Sequence, residues 1–78
     1  GELPRPTYDD VQAEGRVVVT IQVSPEGDVV SVSINQRTNT VNQKLQQAAL
    51  TAAAKTKFNA IGGLNNQTGT ITYYFKQR

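Results

Sequence analysis

The stretch Arg16-Val17-Val18-Val19-Thr20-Ile21-Gln22-Val23-Ser24-Pro25-Glu26-Gly27-Asp28-Val29-Val30-Ser31-Val32-Ser33-Ile34 decides the architecture. Its first part has a period of two: Val17, Val19, Ile21 and Val23 point one way, and Arg16, Val18, Thr20 and Gln22 the other. β-Branched residues at that period predict a strand with one buried face. Ser24-Pro25-Glu26-Gly27 then predicts a turn, with Pro pre-setting φ at the second position and Gly at the fourth. Alternation resumes with Val30, Val32 and Ile34 expected inward and Ser31, Ser33 and Asn35 outward. Two such runs around a short Pro-Gly turn predict an antiparallel hairpin.

Downstream, Gln36 to Asn39 is polar loop, and the period changes. Thr40 and Gln43 have the capping-box spacing, in which hydroxyl and amide each satisfy a backbone donor. Val41 to Lys57 consists mainly of strong helix formers, predicting a helix about 25 Å long. Ala48, Val41, Ala52, Leu45, Thr56, Ala49 and Ala53 share one stripe, whose small alanines let a helix lie close to a sheet. Leu50 falls outside the stripe and is expected to be singly exposed, with packing against the N-terminal segment as the alternative. Lys55 and Lys57 are expected in the last turn, where cations complement the helix dipole. Gly62 and Gly63 are expected to end the helical region, with Asn65-Asn66 continuing the loop.

Gly69 to Lys76 reads as a last strand, with Ile71, Tyr73 and Phe75 inward and Thr70, Thr72 and Tyr74 outward. The element order is β-β-α-β, an α+β fold of two layers with one main helix on one face of a three-stranded sheet. The last strand can lie beside the first, giving an all-antiparallel sheet of order 2-1-3, or beside the second, giving a mixed sheet. In either case it is an edge, and it lacks the inward charge, proline or mid-strand lysine that normally blunts one. A surface must cover it or a partner must pair with it.

Upstream, residues 1–14 hold Pro4, Pro6 and Tyr8 and the acidic Asp9, Asp10 and Glu14. They read as a lead-in or linker end, with room for one helical turn from Tyr8 to Ala13, and residues 15–78 read as the domain. At 78 residues this is one small domain, with 37% hydrophobic and 18% charged residues. No apolar run approaches the about 20 residues of a membrane span.

The chain has no His, Cys or Trp, which removes Ser-His-Asp and thiol catalysis and nearly all zinc sites. All six carboxylates (Glu2, Asp9, Asp10, Glu14, Glu26 and Asp28) lie in the lead-in or the turn. Hence no catalytic, cofactor or metal site is expected. The net charge is +2, but the cations are scattered and no stripe mixes them with aromatics, so nucleic acid is not an expected partner. Arg16 and Arg37 read as solvated charges, and the sequon Asn66-Gln67-Thr68 as a chance match.

With these elements placed, the chain resembles the carboxy-terminal domain of TonB energy transducers. The resemblance rests on Glu14-Gly15-Arg16-Val17-Val18-Val19, on Ser24-Pro25-Glu26-Gly27-Asp28-Val29, and on the helix residues Leu45, Ala48-Ala49-Leu50-Thr51-Ala52-Ala53 and Lys55-Thr56-Lys57-Phe58. The closing Gly69-Thr70-Ile71-Thr72-Tyr73-Tyr74-Phe75 completes it. The Asn-Thr before the helix and the Asn65-Asn66-Gln67-Thr68 lead into the last strand are similar to the Bacteroidetes-type version. Two positions depart from the pattern: Asp9 follows Tyr8 where the family often has Tyr-Pro, and Thr56 stands where many members have a bulky aromatic. The second implies a thinner core, compensated by Tyr73 or Phe75.

The resemblance implies the 2-1-3 strand order. It also implies a periplasmic domain of an inner-membrane-anchored protein, driven by the ExbB–ExbD motor through an upstream part. Its partner would be the TonB box of outer-membrane TonB-dependent transporters, added as a strand along Gly69, Thr70, Ile71, Thr72, Tyr73, Tyr74, Phe75 and Lys76. Alternatives are a TonB-like domain appended to a membrane sensor or peptidase, and a self-associating module whose last strand pairs into a weak homodimer.

Overall fold

A computed structural model describes residues 15–76. It contains β1 (Gly15–Val23), β2 (Val29–Ile34), α1 (Gln43–Ala54) and β3 (Gln67–Phe75). The strands form one antiparallel sheet of order β2-β1-β3. Of the two topologies open to the strand pattern, the all-antiparallel one is formed, and the expected α+β fold stands.

The period-two reading of β1 accounts for the layer under the helix, while Val18, expected on the outward face, is also buried at 3% exposure. Val17, Val19, Ile21 and Val23 pack with Ile71, Tyr73 and Phe75 of β3 against Leu45, Ala49, Ala52 and Ala53 of α1. Leu45, Val17 and Val19 are fully buried, each worth about 1.5–3 kcal/mol relative to exposure. The small alanines bring α1 down over β1 and β2, and it touches β3 less. The bulk of Tyr73 and Phe75 fills the layer on that side. Thr56, at the position where the family pattern often has an aromatic, is buried in this layer beside Tyr73.

Strand β2 departs from the expected alternation. Gln22 lies opposite Ser31 but Val23 lies opposite Val29, so Val30 is an extra residue in a bulge. One inserted residue reverses the faces before it. Val29 therefore packs against the core, and Val30, expected inward, is 54% exposed. The turn itself forms as read: Gly27 N–H donates to Ser24 O (2.9 Å), and Ser24 N–H donates to Asp28 O (2.8 Å). Gly27 is required twice over. Its φ is +93°, and a Cβ there would sit 2.2 Å from Phe58 O.

The helix is shorter than its composition suggested. Its N-cap is Asn42, whose Oδ1 accepts from Lys44 N–H (2.9 Å) and Leu45 N–H (3.2 Å). The Thr40–Gln43 capping box does not form. Instead, Thr40 Oγ1 accepts from Asn42 N–H (3.1 Å) and Thr40 O accepts from Gln46 Nε2 (2.8 Å). An asparagine at the cap serves at least as well as a threonine. Val41 falls outside the helix at 93% exposure instead of joining the apolar stripe.

At the other end Thr56 Oγ1 donates to Ala52 O (3.0 Å) and Lys55 is the C-cap. No basic residue sits in the last turn, so the expected dipole role of Lys55 and Lys57 is not realised. Gly62 and Gly63 lie in the following loop and do not end the helix. Leu50 is half-buried and packs on the core margin, one turn from Ala53, so it is not the exposed leucine the stripe predicted.

The segment after the helix straps the hairpin turn. Phe58 N–H donates to Gly27 O (2.9 Å), Lys57 bridges Asp28 through the backbone, and the Lys57 ammonium pairs with the Asp28 carboxylate. That ion pair is exposed and adds little. The lead-in, residues 1–14, lies outside the described residues.

Candidate strand-docking edge

The site begins with the direction of the β1 backbone groups. Val18 N–H donates to Thr38 Oγ1 (2.9 Å), and Val18 O accepts from Asn35 N–H (2.8 Å). Arg16 N–H donates to Asn39 Oδ1 (2.7 Å), and Arg16 O accepts from Asn39 N–H (3.0 Å). Even-numbered residues of β1 therefore present their backbone groups toward β2 and the loop that prolongs it. Odd-numbered ones present theirs to β3, because the groups of successive strand residues alternate in direction.

The β1–β3 register is continuous and pairs Arg16 with Tyr74, Val18 with Thr72, Thr20 with Thr70 and Gln22 with Thr68. These are the non-hydrogen-bonded pairs of the ladder. The N–H and C=O of Thr68, Thr70, Thr72 and Tyr74 thus point away from β1, along the outer edge of the sheet. Among the described residues no strand pairs with that edge. The side chains of the same four residues are exposed, Tyr74 at 71%. A chain laid alongside would meet alternating donors and acceptors at a spacing any extended peptide can match.

The eight residues expected along this edge separate by parity. Thr70, Thr72 and Tyr74 offer both backbone groups and side chains outward. Ile71, Tyr73 and Phe75 turn their backbone toward β1, opposite Val19, Val17 and Gly15, and their side chains into the core. Gly69 lies opposite Ile21 and is exposed, with open space where a Cβ would stand. Lys76 is exposed and follows the last strand residue.

The strand starts two residues earlier than expected, so Thr68 joins the outward row. The threonine alternation of Thr68, Thr70 and Thr72 carried that signal, but the adjoining Asn65-Asn66 turn residues masked it. Arg16, expected to be a solvated charge, directs its exposed guanidinium at Arg37 O (3.0 and 3.2 Å). It holds the loop after β2 against β1.

Behind the edge, the Tyr73 hydroxyl is buried with no hydrogen-bond partner in bonding geometry among the described residues. Burial pushes its pKa above the ordinary tyrosine value, and the neighbouring Thr56 hydroxyl offsets part of the rise. Thr56 gives its own proton to Ala52 O and so does not donate to the phenol oxygen, and no hydrogen bond forms between the two hydroxyls in bonding geometry.

Fold and edge together define a class: a small two-layer α+β domain with a helix on one face of its sheet and a long edge strand unpaired among the described residues. A family model described as the Gram-negative bacterial TonB protein C-terminal matches residues 9–76, and the chain belongs to this family. Comparison with curated proteins and with solved structures gives no match.

Proposed function

We propose that this is the periplasmic carboxy-terminal domain of a TonB-type energy transducer, and that it receives the TonB box of outer-membrane TonB-dependent transporters as a fourth strand along β3. Through an upstream part it would be driven by the inner-membrane ExbB–ExbD motor, transmitting force that opens the transporter to its substrate. The observation that carries this reading is the row of outward backbone groups at Thr68, Thr70, Thr72 and Tyr74, in a chain of this family.

The physics is β-augmentation, in which main-chain hydrogen bonds supply affinity and side-chain contacts supply selectivity. Four to six added bonds at about 1 kcal/mol net each must offset the about 2–5 kcal/mol needed to order a flexible segment. Backbone pairing alone therefore leaves at most about 4 kcal/mol, a Kd near millimolar, so side-chain contacts supply any tighter grip, and binding is reversible as a cycle of grip and release requires.

The test is an NMR titration of the labelled chain with box peptides of transporters from the same bacterium, against a scrambled peptide. Shifts concentrated in β3 and absent with the scramble support the reading. Absence of shifts at millimolar peptide sinks it. Concentration-dependent broadening of β3 without peptide would instead favour self-pairing.

A further inference from the structure

From Phe58 to Phe75 the chain carries no Lys, Arg, Asp or Glu, although every residue from Asn59 to Thr70 is exposed. Charge is depleted in this way at the core of interfaces rather than on ordinary surface. The uncharged surface is therefore longer than β3 and includes the loop that leads into it. Within that loop Leu64 is 97% exposed and Ile61 40%. The loop is also built: Ile61 N–H and Gly62 N–H both donate to Pro25 O (3.0 and 3.2 Å). Gly62 and Gly63 then take φ of +74° and +84°. A Cβ at either would meet nothing, so glycine serves backbone direction there, not space.

The place of the loop limits what can cover it. Leu64 precedes Thr68, the first outward residue of the open edge, by four positions. A segment paired along Thr68 to Tyr74 extends about 23 Å, and about three more residues past Thr68 reach the loop. Chain reach keeps Leu64 within about 14 Å of Thr68, so residues that flank an added strand at this end come within reach of it.

Resting on the β3 reading above, we infer that Ile61 and Leu64 form an apolar anchor for the flank of the added strand. The occupant is an aliphatic or aromatic residue of the same transporter segment, just outside the paired stretch at the β3-start end. Backbone pairing reads little sequence, so this anchor discriminates among transporters that present similar boxes.

The test uses the full 78-residue chain and two peptides from one transporter of the same bacterium. One is the box alone, and the other is the box with about six native residues on each side, with each apolar flanking residue also changed to Asn in turn. For the long peptide, Leu64→Asn is expected to lower affinity about tenfold, as loss of one well-buried apolar contact does. For the box alone it changes nothing, and one of the flanking substitutions reproduces the loss. Ile61→Asn acts in the same direction. If Leu64→Asn binds both peptides as the parent does while β3 amides still shift, the anchor is refuted and the β3 reading stands. If neither peptide shifts β3 in the parent chain, both fall together.

Discussion

The two edges of this sheet are made from similar residues and end in different states. Strand β2 is short, carries a bulge at Val30, and gives way to a loop that Arg16, Thr38 and Asn39 fasten back onto β1. The helix leans over its side of the sheet. By the same parity argument its outward backbone groups are those of Val32 and Ile34, too few for a long added strand. Strand β3 runs unbroken from Gln67 to Phe75, keeps one register throughout, and has less of the helix above it. An edge is protected by irregularity and cover as well as by charge or proline. Here one edge has both and the other has little of either.

The severest way to break the contrast is Tyr73→Pro. That backbone faces β1, so proline removes a ladder donor as well as a buried aromatic. The expected cost is above about 3 kcal/mol, seen as loss of the cooperative melt by circular dichroism. If the melt survives, the parity assigned to β3 is wrong.

Next is the strapped side. Gly27→Ala places a methyl against Phe58 O in a left-handed conformation. It should cost about 2–3 kcal/mol in urea denaturation, while leaving a β3-bound peptide's affinity for the folded fraction unchanged.

Thr72→Pro sharpens the comparison directly. Its N–H points to the open side, so the fold should persist, as proline is tolerated on edges. Peptide binding should fall about tenfold or more, the loss of one edge donor and its neighbours' alignment. A titration in which Thr72→Pro binds like the parent would mean that no strand is added at this edge.

Smallest is Tyr73→Phe, which deletes the unsatisfied hydroxyl. Stability at neutral pH should stay within about 1 kcal/mol or rise. The pKa of Tyr73 is raised on folding, so its contribution is fully present below the unfolded value and fades as pH rises past about 10. Melting temperatures of parent and variant should therefore diverge only in alkali, with the variant falling less.

Much of this was legible in the chain because period two and period 3.6 are local properties. The faces of β1 and β3, the Pro-Gly turn and the alanine stripe follow from single segments. What failed depended on neighbours. Val30 left the core because strand pairing near the turn admitted an extra residue. Thr40 gave up the cap to Asn42, and Val41 left the helix. Leu50 found the core margin through the finished helix–sheet layer.

The sequence by itself determined the elements, the buried faces and an edge without charge or proline. Only the tertiary structure decided that β3 joins β1, and hence which backbone groups look outward. The reason is that residue pattern sets where side chains go. The direction of each N–H and C=O is known only once a strand has a partner and a register.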